Sequence, residues 1–402
     1  MTTVQAALLK LLRDTVTDNC IQLPEAGLDY DALLEEAKMQ AVALLLLQAA
    51  ENTPLPHGVF ERYQKCCAQV VAHNVKTAYA QKQLIQLLEE NGIDYVILKG
   101  ESSAAWYSSP QLRTLGDVDF LIASEQRDKV ATLLKENDYV QGGEACEHHY
   151  GFRKGAAHLE MHWQVSGIPN GKAGEKAQAY LQDCLKQRVI YSGENGSFYV
   201  PCAKHHGIIL LLHMQQHLLG EGLGLRHLYD WAAFVNATAQ EPFWQDDLLP
   251  LLKEVGLLTF ASTVTAVASL YLGTACPNWA QAPQQLCELL MEDFLAGGNF
   301  GSKDKIRAQS AQLISNRGKD GTTKSKTWYL CRVLHEAVKL EHPIVNKVPI
   351  LYPVFYGYRI IRRLALQLCG KRASFGQLIP IANTRRELYS QLHLFEVEKD
   401  GK

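Results

Sequence analysis

Three acidic residues in this sequence have the type and spacing needed to hold a divalent cation. Asp117 and Asp119 lie two positions apart in the segment 117–123, which predicts a β-strand. Residues i and i+2 of a strand face the same side of a sheet. Glu160 lies in a second predicted strand, at 157–163. Because Mg²⁺ prefers carboxylate oxygens, three such groups on neighbouring strands indicate a metal site for phosphoryl chemistry.

The residues around these acids alternate between polar and apolar types. One face of each strand is therefore predicted to pack on a core, and the other face to be polar. On the second strand the polar face carries His158, Glu160 and His162. Three carboxylates repel one another unless a cation neutralises them, which favours a metal between the strands. The alternative is a solvated Asp-x-Asp edge strand that binds no ligand.

The elements around these strands predict an α+β (α/β) fold, with a small mixed sheet between helical domains. Leucine and alanine recur at helical spacing before position 92, including a single predicted helix at 30–50. Short strands and helices then alternate, and helical spacing returns after position 201. The predicted strands are 94–98, 117–123, 147–153, 157–163 and 196–200, with helices at 101–107 and 125–137 between them.

Four regions follow from this change of pattern. We predict an N-terminal helical region at 1–92 and a mixed-sheet core at 93–200. A helical substrate or cleft domain is predicted at 201–300, and a basic helical region at 301–402. A chain of this length is expected to contain two or three separate cores.

The composition indicates a soluble intracellular protein. The 402 residues are 47% apolar and 20% charged, as in folded domains. The ten cysteines include no Cys-x-x-Cys pair, which is typical of reduced cysteines that serve in packing. The longest apolar run, at 41–47, is too short to span a bilayer. We therefore expect a cytoplasmic location and no transmembrane segment.

The C-terminal third carries a charge signal of its own. Residues 303–386 contain 17 Lys or Arg against 4 Asp or Glu, whereas the whole chain has a net charge of −2. Such a segment favours binding to a polyanion, an acidic partner or a membrane surface. The acidic remainder of the chain is an equally good partner for it.

The histidines provide a second possible set of metal ligands. His213 and His217 are one helical turn apart, which is the spacing of a zinc pair, and Cys202, His205 and His206 lie nearby. However, no glutamate follows His213, and the cysteine does not have zinc-finger spacing. We expect these side chains to line a polar groove or to pack within the helical region.

These motifs together resemble a bacterial family of largely uncharacterised nucleotidyltransferases in the DNA polymerase beta-like superfamily. The Asp-x-Asp block and the strand, turn and helix that lead into it are the most specific part, and the resemblance covers most of the chain. It includes Leu98-Lys99-Gly100, Trp106-Tyr107, Arg113, 116–122, Glu160, His162-Trp163, His213, His217, 226–230 and 343–363.

The resemblance implies a role for each of the acids. Asp117 and Asp119 would hold two Mg²⁺ ions that bridge the phosphates of a nucleoside triphosphate. Glu160 would be the third metal-site carboxylate and would activate an acceptor hydroxyl. In-line attack on the α-phosphorus would then release pyrophosphate.

The resemblance also implies binding roles around the acids. The triphosphate would be bound by a phosphate loop and nearby cations, namely Lys99, Gly100, Ser102, Ser103 and Arg113. Further cleft residues would be His162, Arg226 and Asp230. Arg226 and Asp230 are four positions apart on a predicted helix, so a helix-surface ion pair is the alternative for these two.

Two features leave other functions open. The phosphate loop reads Gly100-Glu101 where the superfamily has Gly-Ser, which adds an anion near the expected triphosphate. That favours, as an alternative, a catalytically weak or inactive nucleotide-binding or regulatory module. The basic segment 303–386 favours, as another, an RNA-binding or RNA-modifying protein. For the leading hypothesis the hydroxyl acceptor stays open between a small molecule, a protein and RNA.

Overall fold

The structure is a computed structural model of the chain. It describes all residues except 18, 20–26, 52–54, 57, 143–147, 305, 308, 311–330, 332–333, 336, 340, 370–371 and 395–402. The described residues before the sheet form four α-helices: α1 (Thr3–Val16), α2 (Tyr30–Met39), α3 (Ala43–Glu51) and α4 (Val59–Glu90). The α4 helix links two hydrophobic cores, since Tyr63 packs among the other helices and Leu84 packs under the sheet.

The single helix predicted at 30–50 is in fact two helices. Ala41, between α2 and α3, has a left-handed φ of 57°. At this break Gln40 is fully buried; its Nε2 donates to the Phe294 carbonyl at 3.3 Å, and its Oε1 accepts from the Leu225 N–H at 2.9 Å. The break therefore lets one buried amide connect the N-terminal helices to residues far along the chain, which local helix propensity does not predict.

A five-stranded mixed sheet follows α4, and it confirms the predicted α+β class. Its strand order is β1-β2-β5-β4-β3, with β2 and β5 parallel and the other neighbours antiparallel. The strands are β1 (Tyr95–Ile97), β2 (Val118–Ile122), β3 (Val140–Gly142), β4 (His149–Lys154) and β5 (Ala157–His162). The β3 strand was not predicted, because its three residues are exposed and show no apolar alternation.

The register between β2 and β5 determines where the acidic residues lie. Asp119 is the partner of Glu160, and Phe120 is the partner of Met161. Partner residues of adjacent strands point to the same side of a sheet. Phe120 and Met161 are fully buried in the core with Leu84 of α4, so Asp119 and Glu160 lie together on the opposite face.

The described residues between 98 and 201 also form three α-helices and a hairpin. The helices are α5 (Glu101–Ala104), α6 (Arg127–Glu136) and α7 (Lys172–Leu181). The helix predicted at 101–107 is thus shorter than expected, and α7 was not predicted. The strand predicted at 196–200 is present as β7 (Gly196–Val200), but it pairs with β6 (Val189–Gly193) in a separate two-stranded sheet. Phe198 of β7 still packs into the core of the main sheet.

The remaining described elements are mostly helical. They include α8 (Ala203–Leu219), α9 (Leu225–Thr238), α10 (Leu249–Glu254), α11 (Leu258–Leu272), α12 (Gln284–Gly297), α13 (Tyr352–Leu368) and α14 (Phe375–Gln391). Apolar side chains of α1–α3 share one cluster with those of α8–α12. The N-terminal and cleft helices therefore have a common core, while the predicted region boundaries stay predictions. Among the described helices, none is both long enough and apolar enough to cross a membrane.

A buried ion pair joins the sheet region to α9. Arg113 donates from Nε and Nη2 to the two carboxylate oxygens of Asp230, each at 2.8 Å, and the Tyr107 hydroxyl donates to Oδ1 at 2.6 Å. Both charged side chains are 5% exposed. Burial favours the neutral acid, but Arg113 outweighs it, so the pKa of Asp230 lies below its ordinary value.

Removal of Arg113 should destabilise the protein strongly. We expect Arg113→Met to lower the free energy of unfolding by about 3–5 kcal/mol, because it leaves a buried carboxylate without its counter-ion. Urea unfolding of Arg113→Met, Asp230→Leu and the double variant measures the coupling. The double variant should lose less stability than the sum of the two single variants; additive losses would contradict the pairing.

Candidate active site

A cleft of about 660 Å³ lies between the polar face of the sheet and the helices α8 and α9. Most of the predicted site residues line it. They are Lys99, Gly100, Ser103, Arg113, Asp117, Asp119, Glu160, Arg226 and Asp230, together with His213 and His217. Ser102 and His162 are 1% exposed and lie behind this surface.

Asp119 is at the centre of a charged network in the cleft. Its Oδ1 lies 2.8 Å from Lys99 Nζ and 3.1 Å from His162 Nε2. Burial alone would raise the pKa of Asp119, but the charge of Lys99 and the hydrogen bond from His162 hold it below its ordinary value. Asp119 is therefore ionised and held in place, and its charge is balanced by Lys99 and His162.

His162 connects Asp119 to Glu160. Its Nε2 is also 3.4 Å from Glu160 Oε2. Burial opposes the charged imidazole, but the hydrogen bonds to Asp119 and Glu160 outweigh burial and raise the pKa of His162 above its ordinary value. Ligand atoms of Asp119, Glu160 and His162 all lie within 4.8 Å of one another, a spacing that permits a single metal ion to contact them.

Asp117 lies at the edge of this group. It precedes β2, its side chain is 51% exposed, and its Oδ1 is 3.8 Å from His158 Nδ1. Burial, followed by the charges of Glu160 and Asp119, raises the pKa of Asp117. The three acids therefore share one electrostatic environment. Asp117 lies outside the compact group, however, and its role as a metal ligand stays a prediction.

His162 is a residue of this network for which the sequence predicted no specific role. It was predicted to share the polar face of its strand with Glu160 and to lie in the cleft. The structure instead buries it behind the cleft surface, in contact with both Asp119 and Glu160. The signal in the sequence was its i+2 spacing from Glu160, since residues at that spacing project side by side from one strand.

The segment predicted to be a phosphate loop follows β1 directly. Gly100 has a left-handed φ of 66°, which explains the need for glycine at this turn. The hydroxyl groups of Ser102 and Ser103 are buried and have no hydrogen-bond partner among the described residues. Of these two serines, Ser103 lines the cleft. Buried hydroxyls are usually satisfied, so an unpaired one in a cleft wall is a candidate contact for a ligand.

Glu101 does not line the cleft. Its Oε2 accepts a hydrogen bond from Gln81 Nε2 of α4 at 2.6 Å, and its Oε1 accepts one from the Asn195 side chain in the β6–β7 turn. These two amide donors hold the carboxylate against α4 and the hairpin. The expectation that Glu101 places an anion in the phosphate-binding part of the cleft is therefore corrected.

Arg226 and Asp230 do not form the helix-surface ion pair considered as an alternative. Both are buried, and Asp230 is bound by Arg113 instead. Arg226 donates from Nη1 to the carbonyl of Thr114 at 3.2 Å. This pairing also changes the interpretation of Arg113, because two of its nitrogens bind Asp230. Its predicted contact with phosphate would compete with that pair.

The histidines of α8 form a neutral wall of the cleft. The Nε2 atoms of His213 and His217 are 3.0 Å apart, and the rings of His227 and Phe300 pack against them. Burial lowers the pKa of His217 to about 3, and it also lowers the pKa of His213 and His227. Within the described ranges, the compact metal-ligand group involves none of these rings.

The other residues considered for zinc are packed differently. Cys202 Sγ lies 3.4 Å from His205 Nδ1, while His206 packs against Trp106 and Phe234. Both histidines are 1% exposed, and burial lowers their pKa values. The packing interpretation therefore fits His205 and His206, and the groove interpretation fits His213 and His217.

Residues 26–273 match the model of a family described as uncharacterised nucleotidyltransferases, a match that covers more than half of the chain. The crystal structure of an antigenic nucleotidyltransferase-like protein from Paracoccidioides brasiliensis is similar over 51% of this chain and 94% of that chain. The sequence identity is 16% and the TM-score is 0.29, which is too low to support an argument. No curated protein is significantly similar to this chain.

Substitution of Glu101 by glutamine tests the placement of its carboxylate. The new amide would turn a donor toward Gln81 or Asn195, so we expect the free energy of unfolding to fall by about 1–3 kcal/mol. Affinity for a Mg²⁺–nucleotide complex, measured by calorimetry, should stay unchanged. Glu194→Gln, at an exposed position of the β6–β7 turn that contains Asn195, is the control. A marked gain in nucleotide affinity for Glu101→Gln would contradict this placement.

Proposed function

Because the chain belongs to the family of uncharacterised nucleotidyltransferases, we propose that it transfers a nucleoside monophosphate from a nucleoside triphosphate to a hydroxyl group and releases pyrophosphate. The observation that carries this proposal is the pairing of Asp119 with Glu160 on adjacent parallel strands, with Asp117 in the same electrostatic environment. Acids gathered in this way suit metal-assisted phosphoryl transfer. The proposal includes membership of the polymerase beta-like superfamily.

The donor atoms of the site fit Mg²⁺. Asp119 and Glu160 offer carboxylate oxygens, which Mg²⁺ prefers to imidazole nitrogen, and Asp117 is close enough to raise their shared negative potential. We therefore assign the metal to Asp117, Asp119 and Glu160, with two ions expected, and keep His162 as a hydrogen-bonding partner of the ligands. When bound, Mg²⁺ would neutralise phosphate charge and stabilise the attacking and leaving oxygens.

Lys99, Gly100 and Ser103 are the residues proposed to bind and orient the triphosphate. Lys99 is 16% exposed and pairs with Asp119, so it is positioned to exchange that carboxylate for a phosphate oxygen. The unpaired Ser103 hydroxyl lines the same part of the cleft and can donate a hydrogen bond to phosphate. Gly100 supplies the left-handed turn that brings these two residues together.

Glu160 is the proposed general base. Its side chain is 34% exposed, whereas that of Asp119 is 9% exposed, so Glu160 is the more accessible acid to an incoming hydroxyl. The acceptor O–H gives its proton to a Glu160 oxygen, while the acceptor oxygen forms a bond to the α-phosphorus. The bond from the α-phosphorus to the bridging oxygen breaks, and that oxygen leaves with pyrophosphate.

Two alternatives make different predictions. A binding module without turnover would hold nucleotide but release no pyrophosphate; its motive, an anion at Glu101, is weakened by the placement of that side chain. An RNA-dependent function would use the basic segment 303–386. Part of that segment is paired within the chain, since Lys303 binds Glu36 at 2.5 Å and Arg307 binds Asp293 at 2.6 Å. Residues 311–330 of the segment lie outside the described residues.

Nucleotide transfer tests the proposal directly. The protein, Mg²⁺ and each α-labelled nucleoside triphosphate are incubated with a cell extract that is then separated into RNA, protein and small molecules. We expect label in one fraction and stoichiometric pyrophosphate. Asp119→Asn and Glu160→Gln should each lower the rate at least about a hundredfold, since each removes charge from the reacting centre. Asp128→Asn, at an exposed position of α6, is the control, and unchanged rates for Asp119→Asn would refute the proposal.

The affinity for Mg²⁺ should increase with pH through the raised pKa of His162. Below that pKa the buried imidazolium neutralises Asp119 and Glu160 and repels the metal, whereas above it the neutral ring does not. Calorimetry near neutral pH, in two buffers of different ionisation enthalpy, should therefore show proton release upon Mg²⁺ binding. His162→Gln should abolish this release. An affinity that is independent of pH would contradict the assigned network.

A further inference from the structure

Four arginines are buried among the described residues, and three of them are well compensated. Arg113 and Arg307 each pair with an aspartate, at 2.8 Å and 2.6 Å. Arg385 donates to three backbone carbonyls and to a serine hydroxyl, each within 2.9 Å. These three follow the general rule that a buried charge is paired or fully hydrogen-bonded.

Arg226 is the exception. It is 7% exposed, and its hydrogen-bond partner among the described residues is one neutral group, the carbonyl of Thr114 at 3.2 Å from Nη1. Among the described residues its Nε has no hydrogen-bond partner, and none of their carboxylates lies within 4.0 Å of its nitrogens. Burial, together with the nearby charge of Arg113, lowers the pKa of Arg226 to about 10, so it stays protonated at neutral pH. A buried cation without a counter-ion disfavours folding.

The guanidinium of Arg226 belongs to the cleft wall near the acids. A Cβ atom at Gly116 would lie 4.0 Å from its Nη1, so the group lies against the segment that leads into Asp117. The side chain lines the cleft together with His213 and His217. These rings are neutral and add no positive charge, but their ring nitrogens can hydrogen-bond to a ligand.

Phe300 provides a second, independent indication of a ligand-binding site at Arg226. Its ring centroid lies 5.2 Å from the Arg226 guanidinium carbon, and the ring also packs against His217 and His227. Its backbone has a left-handed φ of 52°, which is unfavourable for an aromatic residue. Such strain is typically found at binding sites, where it holds one side chain in a required position. Here it holds an aromatic ring against the guanidinium.

We propose that Arg226 binds an oxyanion, a phosphate or carboxylate group of a ligand that occupies the cleft. The oxyanion supplies the counter-charge and the acceptor oxygens that the described chain does not place there. Two sources have this chemistry: the triphosphate of the nucleotide donor, and an anionic group on the acceptor. In both cases the inference rests on the proposed function. If the oxyanion belongs to the acceptor, the acceptor is itself negatively charged.

Calorimetry with defined anions tests this site. The wild type, Arg226→Met and Arg226→Lys are titrated with Mg²⁺–pyrophosphate, with each Mg²⁺–nucleoside triphosphate, and with inorganic phosphate after saturation with a non-hydrolysable triphosphate. Arg226→Met should weaken binding of at least one anion about 10- to 100-fold. Arg226→Lys keeps the positive charge but not the planar guanidinium, so it should lose less anion affinity than Arg226→Met.

The pattern of losses identifies the source of the oxyanion. If Arg226→Met binds both pyrophosphate and the nucleotides more weakly than the wild type, the oxyanion belongs to the nucleotide donor. If it loses affinity only for phosphate in the triphosphate-saturated protein, the oxyanion belongs to the acceptor. Equal affinities of the wild type and Arg226→Met for every anion would overturn the inference. If the wild type binds no nucleotide, the proposed function fails. Weaker binding of pyrophosphate by Arg226→Met than by the wild type would even then support the oxyanion site.

The melting temperature separates a ligand-binding role from a structural one. Arg226→Met removes a buried cation that has no counter-ion, so the melting temperature should stay the same or increase. Arg385→Met is the matched control: it should lower the melting temperature, because several carbonyls lose their donor, and leave anion affinity unchanged. Pyrophosphate or phosphate should raise the melting temperature of the wild type more than that of Arg226→Met. A fall for Arg226→Met as large as that for Arg385→Met would indicate a structural role and contradict the inference.

Discussion

The parallel pairing of β2 with β5 is the constraint on which the rest of the site depends. It aligns Asp119 with Glu160 on one face while Phe120 and Met161 pack on the other. A shift of one residue would turn the acids into the core, so burial of the apolar face fixes the position of the polar one. The pairing also creates a concentration of negative charge, and Lys99 and His162 compensate it in the absence of a ligand.

The helical region supplies the opposite wall of the cleft. Two arginines near this wall differ in how their charge is compensated. Arg113 is neutralised by Asp230 and joins α9 to the sheet region. Arg226, one turn of α9 before Asp230, has one backbone carbonyl as its hydrogen-bond partner among the described residues. One cation thus holds the two regions together, and the other faces the space between them. A stable fold can retain an uncompensated buried charge when function benefits from it.

The sequence predicted those parts of the structure that depend on local periodicity. Polar and apolar residues alternate from Asp117 to Phe120 and from His158 to Trp163, so both strands and their polar face could be predicted. The position of the Glu101 carboxylate could not be predicted, because it depends on amide donors contributed by α4 and by the β6–β7 turn. The same holds for the ion pair of Arg113 with a partner 117 positions away, and for the helix break at Gln40, which a buried long-range hydrogen bond stabilises. Pairwise contacts between distant residues leave no periodic signal.

We propose that Asp119 and Glu160 together hold a metal against a triphosphate. Diffraction at the manganese absorption edge, from crystals containing Mn²⁺ and a non-hydrolysable nucleoside triphosphate, tests it most directly. The account predicts anomalous density within bonding distance of both carboxylates, with Lys99 Nζ moved from Asp119 to a phosphate oxygen. Bound nucleotide with no manganese at these acids, and with Lys99 still paired to Asp119, would contradict it.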